Sequence, residues 1–270
     1  MTINYNEVEQ LNSILQDNKL IRNEWYTITL LAKHCSILKM NVEESFIFIE
    51  EHLKSIIPNC NILSYKDIIK KSLKIFLNKN NIKLSNVEKI IIYKEEVEFI
   101  ESHLAKESYQ KVAFTYLAYR KIRNEIYNRQ DTIIPEKDKD NDIFKNANMT
   151  ETGFKITKVI RKLIEANVLK IMGFYTDKKG NLKIDVTDNR VDVCNYIKFE
   201  GEIAFEVEAK DFENLGLVWL LHKGNKKIKR CQRCENLIQT KGKERTKYCK
   251  ECAKVIKNEQ NKNYYRENVI

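Results

Sequence analysis

The sequence predicts a mainly helical α+β chain: an N-terminal helical bundle, a central domain of helices and short strands, and a small C-terminal cysteine module. Three observations carry that prediction. Glycine occurs seven times and proline twice in 270 residues, which favours long helices over the many tight turns of an all-β sandwich. Apolar residues make up 43% of the chain, enough for genuine cores, and recur with helical spacing along most of it. Four of the seven cysteines fall in two C-x-x-C pairs. A chain of this length is expected to divide into two or three domains. The boundaries read as 1–80, 87–222 and 223–270.

Residues 1–20 read as a short polar helix or arm, with Val8, Leu11, Ile14 and Leu15 on one face. Three helices follow. Asn23 to Leu38 buries Ile28, Leu31, Ala32 and Cys35. Asn41 opens the next, with Glu44 three residues on to complete a capping box. Phe46, Ile47, Ile49 and Leu53 are its apolar residues, and it stops before Pro58. The third starts at Ser64 as N-cap and buries Ile68, Ile69, Leu73 and Phe76. Arg22 with Leu30-Leu31-Ala32, the run Met40-Asn-Val-Glu-Glu44, and Leu63-Ser-Tyr-Lys-Asp-Ile-Ile-Lys-Lys-Ser72 together resemble the small helical domain on the C-terminal side of many phage and plasmid primases. The resemblance implies an accessory part in replication, since no catalytic signature accompanies it.

Residues 78–86 are polar and read as a linker. Val87 to Tyr93 is an expected strand and Lys94 to Ala105 a helix. Tyr109 to Asn128 is a long helix with Val112, Ala113, Tyr116, Leu117 and Ile122 inward. A charged loop over 130–141 leads to a short helix, Asp142 to Asn148. Thr150 or Thr152 caps another helix ending near Ala166. A strand from Asn167 to Thr176, a turn at Asp177–Asn181 with Gly180 free to take positive φ, and a return strand Leu182–Val186 complete the run. This order resembles the winged helix-turn-helix modules of phage and plasmid replication proteins, over roughly ninety residues. At 100° per residue the third helix gathers Ile156, Val159, Ile160 and Leu163 on one side and Lys155, Lys158, Arg161 and Lys162 on the other. The resemblance implies that the basic side enters the major groove. Lys155, Lys158, Arg161 and Lys162 are then candidate phosphate or base-edge contacts, and Lys178 and Lys179 at the hairpin tip would reach an adjacent backbone or minor groove. Tyr196–Phe199 and Glu202–Val207 read as a further strand pair. Asp211 reads as the cap of a helix carrying Leu215, Leu217, Val218, Trp219, Leu220 and Leu221, with Trp219 in the core.

The cysteine module has the more specific spacing. Cys231-Gln-Arg-Cys234 is followed by fourteen residues and Cys249-Lys-Glu-Cys252. Such a pair of knuckles sets four thiolates around one tetrahedral zinc, and four sulfur ligands leave no open position, so the expected zinc is structural. The segment between the knuckles is long enough for a hairpin. Two disulfides or a redox pair are the alternatives. A disulfide framework needs an oxidising compartment, whereas residues 1–10 contain acids and no apolar core of the kind a secretion signal needs. Charge concentrates here too. Lys223 to Glu267 holds fifteen Lys or Arg against five Asp or Glu, and the whole chain 48 against 38. The module therefore carries the full +10, and residues 1–222 balance at 33 against 33. A compact basic module on a neutral body is the footprint of a nucleic-acid contact. Arg230, Arg233, Lys241, Lys243, Arg245 and Lys247 are its candidate contacts, and Tyr264 and Tyr265 are candidate stacking platforms.

Enzymatic readings fail on their spacing. Asp138, Asp140 and Asp142 alternate as in a calcium loop, but Ile143 stands where the glycine is needed and Met149 where the closing glutamate is needed. Asp185, Asp188 and Asp192 lack a second ligand set. His34, His52, His103 and His222 are scattered, and no phosphate-binding glycine loop occurs. No apolar run is long enough for a membrane span. The expectation is a non-enzymatic, cytoplasmic protein of a phage or mobile element. It would bind duplex DNA in replication initiation or transcription control, alongside host or phage replication proteins. The second expectation is a protein-binding adaptor or inhibitor that docks on a host replication, transcription or defence complex.

Overall fold

The computed structural model describes residues 5–79, 82–127, 140–149, 153–171, 174–176, 182–184, 191–193, 196–240 and 246–268. They are mainly helical, with short antiparallel strand pairs. The chain forms two compact units, one of residues 4–88 and one running from Lys89 to the C-terminal end.

The first unit packs α1 (Glu7–Asp17), α2 (Glu24–Ile37), α3 (Val42–Ile56) and α4 (Lys66–Phe76) around one core. The periodicity explains the packing. Leu11, Ile14, Ile28, Leu31, Ala32, Cys35, Ile49, Leu53, Ile69 and Leu73 are all buried, each on the apolar face of its helix. Asn23 caps α2, accepting from the Tyr26 amide at 2.9 Å. Asn41 and Glu44 close the expected capping box on α3, both bonds at 2.9 Å. Ser64 is not a cap. Asn61 accepts from the Leu63 amide and starts a 3-10 turn at Ile62–Ser64, so α4 begins after Tyr65 with no side-chain cap. Glu7 is buried, pairs with Lys33 at 2.6 Å and accepts from the Ser85 amide, which fastens α1 to α2 and to the last residues of the unit.

In the second unit β1 (Lys89–Tyr93) leads into α5 (Lys94–His103), α6 (Glu107–Tyr127), α7 (Asp140–Asn146) and α8 (Gly153–Glu165). The strands β2 (Lys170–Ile171), β3 (Phe174–Thr176), β4 (Leu182–Ile184), β5 (Val191–Asp192) and β6 (Ile203–Glu208) follow. Helix α9 (Leu215–His222), β7 (Ile228–Arg230), β8 (Leu237–Gln239) and α10 (Lys250–Asn268) complete it. Helix α6 is the axis: α5, α7, α8, α9 and β1 all pack on it. Its inward residues Val112, Ala113, Tyr116, Leu117 and Ile122 are buried as their spacing predicts, and Phe114 meets the ring of fully buried Trp219 at 5.2 Å.

Strand β6 does not pair with Tyr196–Phe199. It pairs antiparallel with β1, Val207 opposite Ile90. Tyr196 is buried instead, stacked 4.6 Å from Phe99 and donating its hydroxyl to the Ala113 carbonyl at 3.1 Å. An aromatic with such a partner gains more from burial than from a two-residue ladder. Asp211 does not cap α9 either. It lies in a 3-10 turn, Ala209–Asp211, and Asn214 precedes the helix. After α8, β3 and β4 pair antiparallel with Thr176 opposite Leu182, and β2 pairs antiparallel with β5. The turn at 177–181, the loop over 130–139 and the cap at Thr150 or Thr152 lie outside the described residues, as do Asp138, Asp185, Asp188 and Cys194.

Candidate metal centre and cationic faces

Strands β7 and β8 flank the first knuckle, with Arg230 opposite Leu237. The hairpin therefore turns at Cys231–Asn236 itself, not between the two knuckles. Cys231 donates its amide to the Asn236 carbonyl at 2.9 Å, Glu235 returns the bond to the Cys231 carbonyl at 2.9 Å, and Glu235 takes a positive φ of 58° to close the turn. The second knuckle opens α10: the Cys249 carbonyl accepts from Ala253, and Cys252 lies in the first turn. The Gln232 amide reaches the Lys247 carbonyl at 3.0 Å and ties one knuckle to the other.

The four sulfurs of Cys231, Cys234, Cys249 and Cys252 all lie within 4.8 Å of one another, and Cys234 and Cys249 are 3.8 Å apart. A tetrahedron with metal–sulfur bonds of about 2.3 Å has an edge of about 3.8 Å, so the donor set is spaced for one ion. Amides support the sulfurs: Cys249 donates to Cys231 at 3.3 Å and Cys252 to Cys249 at 3.4 Å. Burial opposes ionisation of Cys231, but amides of Cys234, Cys249 and Arg233 outweigh it and draw the thiol down to about 6. Cys252 behaves oppositely: burial, the sulfurs beside it and the Cys231 thiolate push it up to about 12. One thiolate forms readily and the next is repelled. A cation at the centre removes that repulsion, which is the electrostatic sense in which the residues fit a metal. Cys35 is inert by comparison: it is buried, and burial pushes its thiol up to about 11.

The module is bound into its unit. Ile228 and Leu237 are buried, and both strands pack on α9. Arg230 forks onto the Asp211 carboxylate at 2.7 and 3.2 Å and also donates to the Glu235 carbonyl at 3.0 Å. That carboxylate is 3% exposed. Arg233 forks onto Glu259 of α10 at 2.9 and 3.0 Å. Both guanidinium groups, candidates for nucleic-acid contact from sequence, pair within the second unit while their side chains stay 40% and 41% exposed.

The other basic candidates fall in three places. On α8, Lys155, Lys158, Arg161 and Lys162 are exposed, while Ile156, Val159 and Leu163 are buried; Arg161 and Lys162 both pair with Glu165, at 2.9 and 2.6 Å. Lys247 is exposed beside the second knuckle. Lys178, Lys179, Lys241, Lys243 and Arg245 lie outside the described residues, as do the side chains of Tyr264 and Tyr265. The structure adds a group that the sequence reading passed over. Lys250, Lys254 and Lys257 of α10 are exposed. At 100° per residue they fall within about 60° of one another and about 180° from Cys252 and Glu259. The signal was their i, i+4, i+7 spacing. Without the knuckle to show which side of α10 is held, that spacing did not stand out.

The histidines serve as ring partners. His222 stacks on Phe205, His103 on Phe99, and His34 and His52 flank Phe48. No helix among the described residues is long and apolar enough to cross a membrane. No model of a known protein family, no curated protein and no solved structure matches the chain.

Proposed function

We propose that this chain is a nucleic-acid-binding protein whose C-terminal module is a structural zinc site, and that duplex DNA is its ligand. One observation carries the reading. The excess charge is confined to the segment 223–267, and within it Lys250, Lys254 and Lys257 of α10 occupy the side away from Cys252 and Glu259. Four thiolates at tetrahedral spacing select a soft-accepting, redox-silent ion, for which zinc is the ordinary choice. The order α6, α7, α8 and the β3–β4 hairpin supports a winged helix-turn-helix, with exposed Lys155 and Lys158 as the backbone-contacting pair of α8. Replication initiation or transcription control in a phage or mobile element is the setting that the primase-like and winged-helix resemblances support.

Titrating duplex DNA against salt tests this. Each phosphate neutralised contributes about −0.9 to the slope of log K against log salt. Lys250→Gln/Lys254→Gln/Lys257→Gln should flatten the slope by up to about three such contributions, and Lys155→Gln/Lys158→Gln by up to about two. Arg230→Met is the internal control. It should leave the slope unchanged and lower stability by about 1–3 kcal/mol, because Asp211 is left buried without its partner. A slope indifferent to both lysine sets would sink the proposal.

A further inference from the structure

The first unit carries an open groove of about 800 Å³ between α3 and α4. Its floor is Val42, Phe46, Ile47, Leu73 and Leu77. Val42 is 62% and Ile47 57% exposed, an unusual use of β-branched residues on a helix that is otherwise well buried on one side. One wall is a column of lysines, Lys66, Lys70 and Lys74, at i, i+4 and i+8 of α4. At 100° per residue they span about 80° of the helix surface. All three are exposed and have no ion-pair partner among the described residues. The opposite wall offers Glu43, in the first turn of α3.

We infer that this groove receives an amphipathic helix of a partner protein, bearing acidic residues along one edge of its apolar face. The shape is that of helix-in-groove recognition, in which residues at i, i+3, i+4 and i+7 fill an apolar trough. The charge settles which helix. Three lysines one turn apart match three Asp or Glu spaced likewise on the facing edge, and Glu43 disfavours acids on the other edge. A nucleic-acid backbone fits the lysines but gains nothing from five apolar side chains, so the floor argues for a peptide. This groove is lined by residues of the first unit alone, and the inference does not rest on the cationic faces of the second.

The experiment uses the whole chain with labelled Ile, Leu and Val methyl groups. The probe is an eighteen-residue synthetic amphipathic peptide with Leu on one face and Glu on one flanking edge. A second peptide has Lys in place of Glu. The acidic peptide should shift the methyl signals of Val42, Ile47, Leu73 and Leu77, and the basic one should not. Ile47→Glu and, independently, Lys66→Glu/Lys70→Glu/Lys74→Glu should each weaken binding at least about tenfold, while Lys71→Glu, off the groove, changes it less than about twofold. Ile47 and the lysines are exposed, so unchanged far-ultraviolet dichroism checks that the variants fold. Four outcomes overturn the inference: no shift at about 1 mM peptide, equal shifts with the basic peptide, displacement of the acidic peptide by an oligonucleotide that moves the same methyls, or self-association of the chain that Ile47→Glu abolishes.

Discussion

Glu96 has no solvent exposure at its side chain, yet it serves three groups. It accepts from the Tyr93 amide at 2.9 Å, from the Lys198 amide at 2.7 Å, and pairs with Lys121 of α6 at 2.9 Å. Lys121 in turn donates to the Lys198 carbonyl and lies over the Tyr93 ring. The carboxylate therefore locks β1, α5 and α6 to the segment before β6. Burial holds Glu96 above the ordinary carboxylate range, although Lys121 and the two amides pull it down. Removing the ammonium removes the largest of those opposing effects. Lys121→Met should cost about 3–5 kcal/mol near neutral pH, because a buried charge loses its partner. The loss should shrink in acid. A folded-state value above the unfolded one means that the folded state binds the proton more tightly, so stability is present at low pH and falls as pH rises through the folded value. Urea melts of the variant and the parent chain between pH 4 and 8 check this; a difference that does not grow with pH contradicts it. Nothing in the local sequence of Glu96 separates it from Glu95 beside it. Its role arises from a helix and a loop distant in sequence, which is why residue-level ties of this kind, Asp211–Arg230 included, were illegible before the fold was known.

Elements were more legible where one helix face had to be buried. The 3.6-residue period fixes which side of α2, α6 and α8 faces a core, and the residues read there are buried or partly buried, whereas on α3 only Ile49 and Leu53 of those read are buried and Ile47 is exposed. Strands two to six residues long carry too little period to name a partner, so β6 was assigned to its sequence neighbour and not to β1. Helix α9 shows a further limit. Its composition, Leu-Gly-Leu-Val-Trp-Leu-Leu-His, announces burial, but not that Gly216 is the contact point. A β-carbon placed at Gly216 would fall 2.1 Å from the Ala147 carbonyl oxygen at the end of α7. That is backbone, which cannot rotate away. Gly216→Ala should push α9 off α7, with a loss of about 1–3 kcal/mol from overpacking, in spite of alanine's better helix propensity. Thermal denaturation reads it; an unchanged or raised midpoint would show that α7 yields freely.

At the scale of the whole molecule, the cysteine spacing and the charge balance were the strongest signals in the sequence, because both are independent of fold. The geometry now makes them one device. The four cysteines gather β7, β8 and the start of α10 around one point, Arg233 and Glu259 brace the helix, and Lys250, Lys254 and Lys257 are displayed on its far side. Among its described residues, the module's buried side chains are those of Ile228, Cys231, Leu237 and Thr240. On the proposed reading, a metal held by the four sulfurs would supply most of its order, with apparent values of about 10–16 kcal/mol for comparable sites. The first unit has a separate core and none of these ligands. Chelation should therefore act on one unit alone. Amide exchange in β7, β8 and the first turns of α10 should accelerate at least about a hundredfold, equivalent to about 2.7 kcal/mol of lost local stability. Exchange in the core of α2 should stay the same. Cys231→Ser should reproduce the effect without a chelator, with bound metal falling from one ion per chain toward none. If chelation leaves the module's amides protected, the hairpin and its packing on α9 are sufficient by themselves, and the lysines of α10 do not depend on metal for their placement. If α2 loosens as well, the two cores are coupled, and the metal contributes to the stability of the entire chain.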